Sequence, residues 1–544
     1  MHVALASDSD GSITITPIGG PGEKQSVTRA ALPAVVAILE AQHPRWVWDD
    51  TSRWYPPLLT AGVRVERCVD LRLCRAILRN SELTSGSVLA RSEPDDWDRP
   101  AAVDRPSDGL FVLDDQSTPD PVAEFARQQD AAVPGIGLLL AAESAGSLIA
   151  AEMRHAGLPW RADLHDALLT RTLGSRPAQG ARPAIMESVL GDIRRELAAP
   201  NLNPDSPVEL LKVLRNAGIM VASTGKWELE KVTHPAIRPL LEYKKLARLL
   251  SANGWQWLEA NIQDGRFRPE YVVGGVVTGR WASTGGGGAL QLPKQVRGAV
   301  VADPGWKLVV ADAAQLEPRI LAGMAGDRGM VEAGTAGDLY AGIVARGAVK
   351  TRDEAKVAML GAMYGATTGE SGRLMPALTR AFPRAIGLVE QAARAGERGE
   401  KVSTRLGRSS PLPSDEWRDL QSSASADGST EATRSRARSE ARSWGRFTRN
   451  FVVQGTAAEW ALCWMASLRR NLHELSEGSW ITRSAHLVFF MHDEVVIHFP
   501  EEQADAVAEA VRAAAAEAGR LLFGEMPVGF PLTVAIVDSY AEAK

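Results

Sequence analysis

The sequence predicts a multidomain chain of α+β class, and three observations carry that reading. Its 544 residues make three or four compact units of roughly 150 residues each, enough for several large cores. Two stretches, KLVVADAAQLEPRILAGMA (307–325) and AHLVFFMHDEVVIHF (485–499), set an acid at the end of a β-type run. Between an alternating α/β start over residues 1–80 and these strands lies a block, 145–262, whose apolar residues recur mostly at helical spacing.

In the first stretch four apolar residues end in Asp312 and are followed by Ala, Gln, Leu, Glu and Arg, which reads as a buried strand turning into a helix. A carboxylate delivered there can hold a metal ion. In the second, His492, Asp493 and Glu494 interrupt two β-type runs as the tip of a hairpin would. Strand, acidic turn, strand is the simplest way to aim Asp493 at Asp312 across one sheet. An aspartate at a strand end is by itself more often a turn former or a helix cap.

The stretch between them, TRDEAKVAMLGAMYG (351–365), adds weight. Arg352, Lys356, Leu360 and Tyr364 recur every four residues, drift only about 40° per step and so line one helix face, cationic at one end and aromatic at the other. Such a face suits a triphosphate and a base. It equally suits an amphipathic surface helix with a snorkelling lysine.

With 45% apolar and 23% charged residues the composition is that of an ordinary soluble globular protein. No run approaches about 20 uninterrupted apolar residues, and the first residues carry neither the basic start nor the apolar core of a secretory signal. Cys68, Cys74 and Cys463 lack metal-finger spacing and are odd in number, which suits a reducing cytoplasm. A net charge of −5 argues against a uniformly basic nucleic-acid binder but not against local patches. RSRARSEARSWGRFTR (434–449) is one, with six arginines, Arg446 among them, against one Glu.

At these residues a family resemblance emerges. DAAQLEPR is similar to the first motif of the family A DNA polymerases, Asp-x-Ser-Gln-x-Glu-x-Arg; RDEAKVAMLGAMYG resembles the second, Arg-x3-Lys-x7-Tyr-Gly; MHDEVV resembles the third, His-Asp-Glu. The three stand in the family's order, and similarity is close over roughly 145–544. The resemblance implies a right-hand polymerase of palm, fingers and thumb, preceded by an α/β ribonuclease H-like exonuclease-type domain. The expected division is 1–144 for that domain, with 84–133 as an acidic Pro-rich loop, and 145–544 for the polymerase. Within the latter the thumb is expected at about 185–262, the palm at about 263–322 and 450–544, and the fingers at about 323–449.

The resemblance further implies DNA-templated addition of deoxynucleotides to a primer 3′ end, assisted by two Mg²⁺ ions for which Mn²⁺ can substitute. Asp312 and Asp493 would bridge them, with the Ala313 carbonyl as a further ligand. Lys356 and Arg352 would meet the triphosphate, Glu317 would reject a ribose 2′-OH, Tyr364 would stack against the templating pair, and Gln315 belongs to the same motif. Arg280 of Thr278-Gly279-Arg280, Asn450, Gln454 and His492 would meet primer and template, while Lys244 and Arg248 on a thumb helix suit phosphates. The partners implied are primer–template DNA, deoxynucleoside triphosphates and a separate 5′ nuclease, for a cytoplasmic, nucleoid-associated bacterial monomer.

Several positions depart from the family. Leu360 replaces an aromatic that packs on the sugar, Tyr340 replaces a His near the phosphates, and Pro318 interrupts the first motif. In the exonuclease-type domain the first metal-binding motif would lie before Met1, Trp54 falls at the second motif's Asp, and Leu140 and Ser144 stand at the third motif's Tyr and Asp. Asp8 and Asp10 in SDSDG make a better turn than a ligand pair. A scaffold without proofreading is therefore expected. Two alternatives stay open: a polymerase-shaped DNA-binding module that has lost catalysis, and a single-subunit RNA polymerase relative, against which Glu317 counts.

Overall fold

The computed structural model describes residues 1–20, 22–99, 120–178, 180–284, 292–366 and 369–543. The four-glycine run at 285–288, expected as a flexible turn, lies outside them. The chain forms two compact units: Met1–Ala156 with Pro269–Thr284 and Gly305–Ile536, and Gly157–Arg268 with Gly285–Pro304 and Val537–Lys544.

The first unit begins with a five-stranded mixed sheet. Strand His2–Ser7 pairs antiparallel with Ile13–Ile18 and parallel with Arg45–Trp48, whose other neighbour is Arg67–Asp70; Gln25–Val27 closes the opposite edge. Trp46, Trp48, Tyr55 and Leu58 are fully buried in its core. The expected acidic loop is structured at its described C-terminal end. Helix Pro121–Ala131 buries Phe125, and Glu124 there receives Arg75 at 2.9 Å. Asp120 and Pro121, read from sequence as a break, are instead a helix start. The Asp120 carboxylate caps the Val122 and Ala123 N–H groups, and proline at the first helical position lacks only an N–H that would go unused.

The boundary expected at 144 also shifts, because it falls inside helix Gly137–Ala156. This helix packs on the first sheet and on a 45-residue helix, Glu431–Leu475, which spans about 67 Å and runs straight through the expected fingers–palm boundary at 449/450. Residues 417–433 are low in complexity and rich in Ser and Ala, which from sequence reads as a mobile loop; 417–425 instead complete helix Asp415–Ser425. Ser414 and Thr430 cap the two helices, so hydroxyls that suggested disorder start regular structure.

A second sheet, in the order His486–Met491, Glu494–Pro500, Trp306–Ala313, Leu532–Val537, packs against helices Gly137–Ala156, Glu431–Leu475 and Ala504–Phe523. Leu308 to Ala311 and Val495 to Ile497 are all buried, which is why the runs read as continuously apolar.

The second unit contains helices Ala162–Leu173, Ala184–Glu196, Pro207–Asn216 and Ile237–Asn253, so it begins well before the expected thumb start at 185. The expected strand alternation over 265–281 is reduced to two-residue strands, Arg266–Phe267 in this unit and Tyr271–Val272 in the first. Among the described residues no helix is long and apolar enough to cross a membrane.

A close helix crossing lies between Pro383–Glu397 and the 45-residue helix. A Cβ at Gly396 would collide with the Thr448 side chain, and one at Gly445 would stand 2.8 Å from the Ala393 carbonyl. Gly387, on the same shorter helix, faces open space. Gly396→Ala is expected to destabilise the protein by about 1–3 kcal/mol through overpacking. Gly387→Ala is expected to stabilise it by about 0.4–1 kcal/mol, because the helix there accepts alanine. Urea unfolding of both variants checks the contrast.

Candidate active site

The site is built on strand register. In the Trp306–Ala313 and Glu494–Pro500 pair, Asp312 stands opposite Glu494, and the Ala313 N–H donates to the Asp493 carbonyl at 2.9 Å. His492 at the hairpin tip is left-handed, with φ of 61°, and the Asp493 N–H donates to the Met491 carbonyl at 2.8 Å. Directly opposed residues share a face, so two carboxylates point the same way with Asp493 in the turn beside them. Hard oxygen donors of this kind, two aspartates and the Ala313 carbonyl, fit a Mg²⁺-like ion. Among the described residues no group of three or more His, Cys, Asp or Glu side chains has metal-holding geometry.

Two hydrogen-bonded groups flank the acids. Gln315, left-handed at φ 57°, begins helix Leu316–Ala325. Its amide donates to Asp338 at 2.7 Å and its carbonyl accepts from the Leu339 N–H at 2.8 Å. Asp338 in turn receives the Arg352 Nε at 2.7 Å. Burial alone would raise the Asp338 carboxyl, but the bonds from Arg352 and Gln315 hold it down at about 2. Asp338 was not among the residues expected at the site. An Asp ahead of LYAGIVA is a legible helix cap, yet nothing local tells that it bridges Gln315 to Arg352. Arg319, in the first motif, is 2% exposed and ties the Ala314, Gly334, Gly337 and Gly529 carbonyls together. Pro318 does not interrupt that motif, since it lies in the helix's first turn, where its missing N–H costs nothing.

The second group centres on Glu317, which accepts from Arg280 at 2.6 Å and from the Tyr364 hydroxyl at 2.9 Å. Gln454 reaches the same hydroxyl at 3.4 Å. Burial, then the Glu317 charge, pushes the Tyr340 phenol up. Burial and the nearby Arg280 push the His492 imidazole down, opposed by Glu317.

The cationic helix runs from Arg352 to Tyr364, started by Thr351 and Glu354 as a reciprocal capping box. Ala355, Ala358, Met359, Ala362 and Met363 are buried; Arg352, Lys356 and Tyr364 are exposed and Leu360 is half-buried. Arg352 also lies 5.5 Å over the Tyr340 ring. Lys356 makes no ion pair among the described residues. Gly365 ends the helix with no room for a Cβ beside the Arg446 side chain. Asn450 is half-buried, and its Oδ1 has no hydrogen-bond partner among the described residues.

Arg280 follows a tight turn. Gly279, at φ 86°, packs directly on the Arg408 guanidinium, which donates to Glu143 of helix Gly137–Ala156 at 2.8 Å. Beneath it Glu459 accepts from the Thr404 hydroxyl and from the Leu406 N–H at 2.9 Å. Lys244 and Arg248 belong to the second unit, in helix Ile237–Asn253. The Lys244 ammonium is half-buried and donates one of its three N–H groups to the Thr224 carbonyl at 2.8 Å; Arg248 is exposed.

A sheet carrying two aspartates at one end beside a cationic helix, with a 45-residue helix behind them, defines a polymerase of the right-hand type. The sequence profile of DNA polymerase family A matches residues 186–541, and the chain belongs to that family. It is 27% identical to DNA polymerase I of Chloroflexus aurantiacus over 333 residues, 56% of this chain and 32% of that one. It is 26% identical to the thermostable DNA polymerase I of Thermus filiformis over 424 residues, 68% of this chain and 46% of that one. The chain thus spans about a third to a half of the length of these relatives. Among solved structures it resembles the polymerase domain of Pol1 from M. smegmatis, in complex with DNA primer–template and dNTP. The TM-score is 0.69 at 19% identity, covering 99% of this chain and 95% of that one.

Burial pushes the Glu459 carboxyl up to about 7 from an ordinary value of 4.5. A raised folded-state value means stability that is complete below about pH 4.5 and is lost as pH rises through 7. Asp70, pushed up to about 7 by burial and by Asp50, acts in the same window, so the variant must be read against wild type. Glu459→Gln is expected to gain on wild type by up to about 3 kcal/mol between pH 5 and pH 8 in urea unfolding. A constant difference across that range would remove the assignment.

Proposed function

We propose that the protein is a DNA-templated DNA polymerase that adds deoxynucleotides to a primer 3′ end without proofreading, in gap filling or repair. The observation that carries this reading is the hydrogen bond joining Ala313 to Asp493, which brings the two motif aspartates to one sheet end. Asp312, Asp493 and the Ala313 carbonyl would hold Mg²⁺, with Mn²⁺ as a substitute. Such ions supply charge neutralisation on the triphosphate and acidify the attacking 3′-hydroxyl. Arg352 exchanges Asp338 for the terminal phosphate, which a guanidinium grips with two parallel bonds. Lys356, one turn further along, neutralises the phosphates and donates a proton to departing pyrophosphate. Glu317 closes the space a ribose 2′-OH would need, and Tyr364 bears on the templating pair.

Arg280, Gln454, Asn450, His492 and Arg446 meet primer–template DNA, the class of ligand held by the Pol1 domain noted above. Minor-groove contacts suit a copier, since base-pair acceptors there are shared across sequences. Arg248 of the second unit adds a phosphate contact. The protein works as a monomer in the bacterial cytoplasm.

The absence of proofreading is supported by what occupies the carboxyl ends of the parallel strands in the first sheet. Arg53 bonds there to Asp49 at 3.3 Å and to Ser7 at 3.1 Å, and Trp54 is buried with its indole N–H on Asp49. Asp8 accepts from Ser12 and Thr14, and Asp10 from the Ser12 N–H, both as turn bonds.

Purified protein with Mg²⁺ is expected to extend a primed template with deoxynucleotides and to leave a 3′-mismatched primer uncleaved. Asp312→Asn and Asp493→Asn should each slow extension at least about 100-fold, the equivalent of several kcal/mol of lost charge stabilisation, with duplex binding intact. Asp338→Asn should raise the KM for nucleotide rather than abolish turnover. Extension that persists in both aspartate variants would overturn the proposal.

A further inference from the structure

A recess of about 620 Å³ opens in the first unit between helix Gly137–Ala156, the 45-residue helix and the edge of the first sheet. None of the residues placed in the polymerase site lines it. Its floor is apolar and made of short side chains: Ala141, Ala145 and Ala466, with Leu138 beside them. Short side chains leave room that larger ones would have filled, and the volume falls within the range of small-molecule sites, about 300–1,000 Å³.

The rim carries five arginines and four glutamates, and the charges are unequally answered. Arg64 donates to the buried Glu152 at 3.1 Å and to His473 Nδ1 at 2.8 Å. A guanidinium cannot accept, so that imidazole nitrogen is the acceptor and carries no proton. Arg67 lies 3.7 Å from Glu66, which is also held by His43 at 2.6 Å. The Glu40 carboxylate accepts from the Trp46 indole and from the Glu66 N–H, both at 2.6 Å, and Arg470 occupies Glu517 and Glu474. Arg45 alone among the rim arginines makes no ion pair within the described residues. Its guanidinium has a single long bond, 3.5 Å, to the Cys68 carbonyl, and Arg67 stands close enough to repel it. The Glu66 carboxylate attracts it from beyond ion-pair distance, but a half-buried guanidinium with no counterion in contact is costly, and an anion at the rim would relieve that cost.

We propose that this recess is a binding site for a small organic anion with a flat or compact apolar body, its carboxylate or phosphate on Arg45 and its body on the alanine floor. The apolar floor disfavours a bare inorganic anion, and the rim disfavours a neutral apolar molecule. The site is separate from the polymerase chemistry and does not depend on it.

The test is titration calorimetry of the full chain with 1-naphthoate, 1-naphthyl phosphate, 1-naphthylmethanol and inorganic phosphate. One or both naphthyl anions are expected to bind one to one, at least tenfold more tightly than the alcohol, with inorganic phosphate not detected; the tighter of the two identifies the anion class. Arg45→Gln and Ala145→Leu, which act on opposite ends of the ligand, should each weaken binding at least tenfold while melting temperature and primer extension stay as in the parent. No binding by either naphthyl anion, an alcohol that binds as well as they do, or undiminished binding in either variant overturns the site.

Discussion

The site depends on one register, fixed where the Ala313 N–H meets the Asp493 carbonyl. A slip of one residue would send every side chain of a strand to the opposite face and part Asp312 from its neighbours. Burial alone does not prevent that slip, because Leu308 to Ala311 and Val495 to Ile497 are buried on both faces and either face would accept them. The two-residue hairpin tip fixes Glu494–Pro500 against His486–Met491, and the bond from the Ala313 N–H to the Asp493 carbonyl ties Trp306–Ala313 to that pair. His492 takes a left-handed conformation that a β-carbon makes unfavourable, and the packed strands on either side hold it there. Local strain at one residue thus sets where Asp493 stands, and the third strand brings Asp312 to it.

Around those acids nearly every positive group is answered from within the chain: Arg280 by Glu317 and Arg352 by Asp338. Asp338 is held ionised at any ordinary pH, so in the proposed reaction Arg352 would trade one anion for another when a phosphate arrives. That trade is inexpensive because both partners are more than a third exposed, and exposed ion pairs contribute about 0–1 kcal/mol. Lys356 has no such partner among the described residues and meets an incoming charge with nothing to break. The exchange orients the site before ligand arrives without obstructing it.

The sequence made visible what is local. A strand ending in Asp312, a hairpin tipped by His492 and Asp493, and an exposed face of Arg352, Lys356 and Tyr364 follow from periods of two and of about four residues. Misread segments were those where one residue type serves two purposes. Asp120 with Pro121 can break a chain or begin a helix, and the Ser/Ala stretch near 420 can be linker or helix. Which one forms depends on burial partners such as Arg75 for Glu124, and on the 45-residue helix for Asp415–Ser425. Asp338 and Arg319 stayed hidden for a related reason: their bonds go to residues distant in the chain, and no spacing encodes them.

Helix Gly137–Ala156 shows how the α/β unit is tied to the site. At one turn of it Ser144 accepts from the Asp70 N–H at 3.1 Å and donates to the Leu140 carbonyl at 2.8 Å, so a hydroxyl there stitches the helix to the first sheet. The neighbouring Glu143 turns to the other side, where it holds Arg408 against the Gly279 turn that presents Arg280. One turn carries both attachments, and Gly146 lets Leu462 and Trp281 pack against the same helix, since a Cβ would stand 2.8 Å and 3.3 Å from them. Removing the first sheet would therefore expose the helix that fixes the Arg280 turn. Support of that turn is a physical reason for the α/β unit to persist that does not rest on nuclease chemistry.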